Sequence, residues 1–492
     1  MSKKAIVSAL FLASSILTFG QFTVKYLSAP DQEKADSFYF PLVQVFNATS
    51  PFGRMDTYLL KNISFSRLDT SNTTVTYMAK DTMICLFGDL LGHESFVIPG
   101  DTVTIRFKKM EKIEKAYRLD SFHLSTFAHQ FYYEGKNKYI YSLFDSIAYN
   151  TGSVYFSFAD FGISGNNLPD LLKQMSENYH SKLSYTSGYC MRNRIPSNIS
   201  RLAIDEIRSS YILNLMHPLE FGWHGVTYKD YPVEFLDTLR NASFADPSSF
   251  FRTCQYSSAA LNRIYFFQDE LFKNLKGSEA KFNRTYTFID RQPVDKSITE
   301  YLLAGHLIIG INNDYPSFDS LFSSFQIEFP ASPYARPIDS LYKTHKESPP
   351  ILWSDAVSAN VSDTAGRRQS LKAVLRNKPA LIDCWASWCV PCLNEMPFSD
   401  AFEKEYGNKV DFIYLSFDRK QEDWLKKTIS LSKTKNSFLL DKNFRSTFAE
   451  YFKLYSIPRY ILIDKNGNIL DDNTPRPSSK AEFTALLNKA LK

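Results

Sequence analysis

Glycine and cysteine are scarce in this chain, at 18 and 6 of 492 residues. So few glycines argue against the glycine-rich loops that cradle phosphates. Six cysteines in a chain this long cannot build a disulfide scaffold. No run of Lys or Arg stands out either. The 57 basic and 52 acidic residues leave a net charge of +5, spread along the chain, and neither a nucleic-acid partner nor a polybasic lipid site is implied. Aromatics are abundant, with 41 Phe and 29 Tyr. Hydrophobic residues make up 44% and charged residues 22%; such a chain buries real cores and is not disordered. Its length suggests about three domains.

Long apolar runs are also missing. The longest near the start, residues 5–19, is shorter than the roughly 20 residues that span a bilayer. Lys3 and Lys4 precede it, and Thr18 and Gly20 are small enough for cleavage before Gln21. Residues 1–20 therefore read as a signal peptide. No cysteine follows to carry a lipid, and no later segment is apolar enough to cross a membrane. The expected location is the periplasm or cell envelope, where disulfides persist.

Residues 21–125 alternate apolar and polar side chains in short runs such as Thr102-Val103-Thr104-Ile105-Arg106-Phe107, broken at Pro51-Phe52-Gly53 and Pro99-Gly100-Asp101. This period of two predicts a small antiparallel β domain. Over residues 126–330 the apolar positions take helical spacing, as in Leu168, Leu171, Leu172 and Met175, which predicts a central α-helical domain. Asn167 and Asp246 stand where helices would start. Residues 331–349 hold Pro333, Pro337 and Pro349 and read as a proline-rich linker. No ligand or partner for residues 21–330 can be read from these patterns.

Residues 350–492 change character again. Ala380-Leu381-Ile382-Asp383-Cys384-Trp385 and Val410-Asp411-Phe412-Ile413-Tyr414-Leu415 read as buried strands, each followed by a helical stretch. Arg459-Tyr460-Ile461-Leu462-Ile463, the turn Asp464-Lys465-Asn466-Gly467 and Ile469-Leu470 form a hairpin. A last helix is expected near Ser478-Ser479, with Ser479 and Glu482 as a capping box. Alternating strands and helices of this kind predict an α/β sandwich.

One motif in this region carries chemistry. Trp388-Cys389-Val390-Pro391-Cys392 lies where a buried strand ends and a helix begins. Cys389 would sit at the helix N-terminus, where free N–H groups and the dipole favour a thiolate, and Cys392 one turn in would resolve a mixed disulfide. A zinc site needs two further Cys or His ligands. All eight histidines lie at or before His345 and no second CxxC exists, so no metal is expected. Haem attachment needs His after the second Cys, and Leu393 is there. A structural disulfide remains the plain alternative.

The stretch Asp383 to Cys392, its continuation Leu393-Asn394-Glu395-Met396-Pro397, the segment 366–371 and Ser456-Ile457-Pro458 before a strand together resemble the thioredoxin-fold domain of the TlpA/ResA-like thiol–disulfide oxidoreductases. The resemblance implies an α/β thioredoxin fold for residues 350–492. It implies catalytic roles for Cys389, Cys392, Asp383 and Glu395, and substrate contacts from Trp388, Ile457 and Pro458, with the last at the family's cis-proline position. Asp383, beneath the dithiol, would exchange the proton of Cys392; Glu395, three residues after Cys392, would share its helix face. The electrons need no cofactor beyond the redox-active disulfide. Expected partners are disulfide-bearing envelope proteins and a thiol electron donor. Peroxidase chemistry fits poorly, because Ala386 stands where a hydroxyl residue would position the peroxide. Other readings are an oxidase or isomerase, and a binding protein in which this domain is accessory.

Overall fold

A computed structural model describes residues 20–27, 45–46, 72–79, 81–87, 93–107, 131–152, 167–220, 226–275, 277–347, 350–375, 378–454 and 457–491. The expected signal peptide, apart from Gly20, lies outside the described residues, as do the break at residues 51–53 and Ser456.

The first strands are β1 (Gly20–Leu27), β2 (Val45–Phe46), β3 (Asn72–Ala79), β4 (Met83–Phe87), β5 (His93–Val97), β6 (Thr102–Phe107) and β7 (Phe131–Glu134). They form a four-stranded sheet ordered β3-β1-β6-β7 and a three-stranded sheet ordered β2-β4-β5. The expectation of an antiparallel domain is corrected here. β1 runs antiparallel to β3 but parallel to β6, with Thr23 opposite Thr102. Nor do the strands end at residue 125: Phe131-Tyr132-Tyr133, aromatic and strand-forming, adds β7 to the sheet.

Among the described residues, the strands share their core with helices. Phe22, Ile84, Phe96, Val103 and Ile105 pack in one cluster with Phe144 and Ile147 of helix α1 (Leu143–Thr151). Tyr189 of α2 (Leu168–Arg192) and Ile199, Leu202 and Ile207 of α3 (Ser197–Glu220) complete that cluster. Phe96 stacks on Phe144 at 5.5 Å between ring centres. A second core lies deeper among the helices, built from Leu172, Met175, Leu215, Ala259 of α5 (Tyr256–Phe266), and Leu303 and Leu307 of α6 (Lys296–Asn312). Helix starts follow local chemistry. Asn167 accepts the N–H of Asp170 to open α2, and Asp246 accepts that of Ser248 to open α4 (Pro247–Arg252).

The proline-rich stretch is not a bare linker. Residues Ala335–Glu347 form helix α7, and Ile338 is buried in the helical core. Pro337 stands in the first turn, where backbone N–H groups have no intrahelical acceptor, so the ring breaks no bond. His345 near the end of α7 and Lys453 of the C-terminal region both meet Asp314, at 2.5 and 2.6 Å, and Lys453 also donates to the Asn312 carbonyl.

The C-terminal sheet has seven strands: β8 (Asn360–Asp363), β9 (Arg368–Ser370), β10 (Ala380–Trp385), β11 (Asp411–Ser416), β12 (Ser437–Leu440), β13 (Arg459–Ile463) and β14 (Ile469–Asp471), ordered β14-β13-β10-β11-β12-β8-β9. β10 is central, parallel to β11 and antiparallel to β13, and every one of its side chains is buried. Alternation splits it between two cores. Ala380, Ile382 and Cys384 face Val361, Ile413, Phe448 and Ile461. Leu381 and Trp385 face α8 (Val390–Tyr406) and α11 (Lys480–Ala490), with Met396, Phe402, Phe483 and Leu487. Helices α9 (Gln421–Ser430) and α10 (Thr447–Tyr451) also flank this sheet. The β13–β14 turn closes as its sequence predicts: Asp464 accepts the N–H groups of Asn466 and Asn468, and Gly467 supplies a φ of +83°. Among the described residues, no helix is long and apolar enough to cross a membrane.

Candidate active site

Strand β10 ends at Trp385 and helix α8 begins at Val390, so the four intervening residues decide where the motif sits. Asp418, just beyond β11 and almost fully buried, anchors it. Its carboxylate accepts from Ser387 N–H at 2.8 Å, Ser387 Oγ at 2.6 Å and Ser416 Oγ at 2.7 Å. Sequence reading missed Asp418. Its signal was there, an acid directly following the strand that parallels β10.

Cys389 is the N-cap of α8, in extended backbone, and Cys392 N–H donates to its sulfur at 3.2 Å. Pro391 occupies the first turn, where no N–H is needed. The two cysteines are joined as a disulfide, with Cα atoms 5.2 Å apart. Cys389 retains 3% exposure and Cys392 none, so Cys389 is the outer residue of the pair. Trp388 is half-buried, 6.5 Å from Phe444 between ring centres, whereas Trp385 is wholly core. The Ile457–Pro458 peptide is cis, and Ile457, half-buried, packs on the cluster that contains both cysteines.

Asp383 lies on the same face of β10 as Trp385, beside Tyr414 on β11 and Tyr460 on β13 in register. It is 2% exposed, and neither carboxylate oxygen makes a hydrogen bond of normal geometry. Burial pushes its pKa up to about 8; Glu395 adds to the rise, while Lys433 and the Ser399 hydroxyl oppose it. Lys433 itself is nearly buried, bonded to Glu403 at 2.9 Å and to Asp400 and the Tyr414 hydroxyl, with its ammonium 4.2 Å from the Tyr414 ring centre.

Glu395, one turn beyond Cys392, is buried rather than solvated. It accepts from Ser478 N–H at 2.9 Å and Ser478 Oγ at 2.8 Å. Ser478 is thus a partner of Glu395, and the expected Ser479–Glu482 capping box is not formed: Ser479 is the N-cap of α11 but its side chain caps nothing. The structure brings Cys389, Cys392, Asp383 and Glu395 together around the start of α8. Ser399, Lys433, Tyr460 and Ser478 complete the surroundings and were not singled out from sequence.

The remaining four cysteines are buried and take part in no disulfide. Cys384 points to the opposite core, as alternation predicts, and burial raises its pKa well above the ordinary thiol value. Cys85 is pushed up to about 12 by burial, with Glu206 adding to it. Cys190 and Cys254 are not bonded to each other.

Residues 377–469 match a family model described as thioredoxin-like. The chain is 28% identical over 136 residues to the thioredoxin-like protein YneN of Bacillus subtilis, covering 27% of this chain and 78% of that protein. It is also 28% identical over 131 residues to the thiol–disulfide oxidoreductase ResA of Bacillus thuringiensis subsp. konkukian, covering 26% of this chain and 72% of the relative. A solved structure from Bacteroides vulgatus, provisionally assigned as a thiol–disulfide oxidoreductase, is 32% identical, covers 27% of this chain and 91% of its own, and has a TM-score of 0.25.

Proposed function

We propose that this chain, whose C-terminal domain is a thioredoxin-like thiol–disulfide oxidoreductase, acts outside the cytoplasm as a reductase of disulfides in envelope proteins. The observation that carries the reading is the placement of Cys389 at the N-terminus of α8, its sulfur taking the Cys392 N–H, with Cys392 buried one turn inside. A helix N-terminus lowers the free energy of a thiolate. In the reduced protein the Cys389 thiolate attacks a substrate disulfide, forms a mixed disulfide and releases one substrate thiol. Cys392 then attacks Cys389. The second substrate thiol leaves, and Cys389–Cys392 closes as the disulfide seen here. Two electrons pass to the substrate, and a thiol donor returns them by the reverse exchange.

Asp383 is the acid–base group of the second step. A carboxyl with a pKa near 8 is close to a thiol in proton affinity, so its ionised fraction is suited to receive the proton that Cys392 must lose. Glu395 holds the Ser478 end of the site and raises the proton affinity of Asp383. Trp388, Ile457 and Pro458 form the rim on which an extended substrate segment lies, pairing with the Ile457 backbone. Export follows from residues 1–20.

Changing Cys392 to Ala should trap substrates on Cys389 as mixed disulfides, and an absence of trapped adducts argues against catalysis. Equilibration with glutathione decides direction. A potential near −270 mV, roughly thioredoxin's, supports a reductase, and one near about −120 mV an oxidase. Sequencing the mature N-terminus tests export, with Gln21 the expected first residue.

A further inference from the structure

Behind the disulfide lies a group of buried polar atoms that the two-step exchange does not use. Ser399 Oγ, Tyr460 Oη and Thr474 Oγ1 are each enclosed and, like both oxygens of Asp383, make no hydrogen bond of normal geometry. Burying such groups without partners costs about 1–3 kcal/mol each; an internal water is their usual partner. They are not scattered. Tyr460 lies beside Asp383 in strand register. Ser399 follows Glu395 by four residues on α8, one turn along the same face, and its hydroxyl lies close enough to both Asp383 and Tyr460 to favour their charged forms by hydrogen bonding. Thr474 N–H donates to the Tyr460 carbonyl at 2.9 Å, and Ser478 closes the same loop onto Glu395. Asn473, next to Thr474, is exposed.

We propose that the Ser399 and Tyr460 hydroxyls form the route by which Asp383 exchanges its proton with solvent at the loop of residues 474–478. This rests on the acid–base role given to Asp383 above. In the resolving step Cys392 transfers its thiol proton to the Asp383 carboxylate. Its electron pair forms the bond to Cys389 Sγ, and the bond from Cys389 to the substrate sulfur breaks. The substrate leaves with that electron pair as a thiolate and is protonated by water. Asp383 is then neutral and sealed from solvent by β10, α8 and the disulfide. Ser399 accepts its proton while passing on its own, and Tyr460 and Thr474 continue the transfer outward. Ser399 and Tyr460 are positioning residues, since they touch neither sulfur nor substrate. Among the described residues, the charged and titratable groups acting on Asp383 are Glu395 from α8, Tyr414 from β11, Tyr460 from β13 and Lys433 from the segment after α9; Arg476 acts on Glu395 and Tyr460.

The test uses the full chain and a short peptide with one internal disulfide. Attack by Cys389 is timed in a Cys392→Ala background, and release of reduced peptide is timed over repeated turnovers with both cysteines present and a dithiol donor in excess, so that Asp383 must be ionised again before each release. Ser399→Ala and Tyr460→Phe, each checked for folding by thermal melting, should leave the first rate unchanged. Each should slow release about tenfold, less than the 10²–10⁴ that a whole acid–base group supplies, and flatten its pH profile. Ser399→Thr should restore both. Release at the wild-type rate in both folded variants, with Asp383→Asn still slow, overturns the proton route alone. Wild-type release in Asp383→Asn as well overturns the acid–base reading and the route with it.

Discussion

The helices α5 (Tyr256–Phe266) and α8 (Val390–Tyr406) both begin beside a buried carboxylate and a cysteine. At α5 the N–H groups of Cys254 and Gln255 donate to Glu206 at 2.7 and 3.1 Å. Cys254 Sγ donates to the Ile84 carbonyl at 3.4 Å, and Cys85, beside a carboxylate and fully buried, is pushed up to about 12. At α8 the allocation is reversed. The Cys392 N–H goes to the sulfur of Cys389, and Asp383 receives no N–H from the helix start. One helix terminus satisfies one acceptor well. On the proposed reading, the carboxylate that lacks the helix start is the one that carries a proton, and the sulfur that has it is the one that reacts.

That contrast breaks most visibly when the sulfurs are removed. Replacing Cys389 by Ala should reduce disulfide-reductase activity to the uncatalysed rate, measured by insulin reduction with a thiol donor. Replacing Cys254 by Ala should leave that rate unchanged, because its sulfur lies in the shared core of strands and helices. A loss of turnover in folded Cys254→Ala protein would show that the second pairing of helix and cysteine is also chemical.

Removing the Asp383 carboxylate is the next largest change. Asp383→Asn should slow the resolving step by roughly a hundredfold, the low end for an acid–base group, without preventing mixed-disulfide formation. It should also stabilise the oxidised protein. A carboxyl whose folded pKa is raised to about 8 contributes stability below its unfolded value and loses it as pH rises from about 4 to about 8. Denaturation of the variant at pH 9 should show a gain of up to about 5 kcal/mol, vanishing near pH 3. Equal stability of the two proteins at pH 9 would mean that Asp383 is not held protonated by its surroundings.

The parts of this site that were legible from sequence are those set by local periodicity. The buried run 380–385 had to be a strand, its alternation sent Asp383 and Cys384 to opposite cores, and CxxC after it had to open a helix. Asn167 and Asp246 announced their helices in the same way. What was not legible depends on chains meeting across the fold. Ser478 is 83 residues from Glu395, and Asp418 is 31 from Ser387; no local pattern joins them. The front region failed for a related reason. Period-two strands and period-3.6 helices imply separate layers, but both bury their apolar faces in one cluster around Phe22, Phe96 and Phe144. Pro337 looked like a breaker and proved to be a first-turn residue.

Glu206 sharpens the comparison from the other side. Burial pushes its pKa up to about 7, against which the two backbone N–H groups act. Stability tied to it is therefore present below about pH 4.5 and lost as pH rises to about 7. Glu206→Gln should remove that slope and stabilise the protein at pH 8 by about 1–3 kcal/mol, the amide oxygen keeping one weaker acceptor for the helix start. Reductase turnover should not change. A turnover defect would mean that the front core communicates with the C-terminal sheet.

The smallest expected effect concerns what restrains Asp383. Lys433 reaches it from the segment after α9 and is the largest influence opposing burial, yet its ammonium is bonded to Glu403, Asp400 and Tyr414 rather than to Asp383. A charge tied elsewhere acts through space, with much of its field offset by its own partners. Lys433→Met should move the pH midpoint of the resolving step upward by about one unit or less, with attack by Cys389 unaffected. No counterpart opposes Glu206, where the restraint comes from backbone N–H groups that mutation of a side chain cannot remove. A downward movement of the midpoint would show that Glu403 and Asp400, once freed from the lysine, adopt new partners and no longer leave their charge facing Asp383.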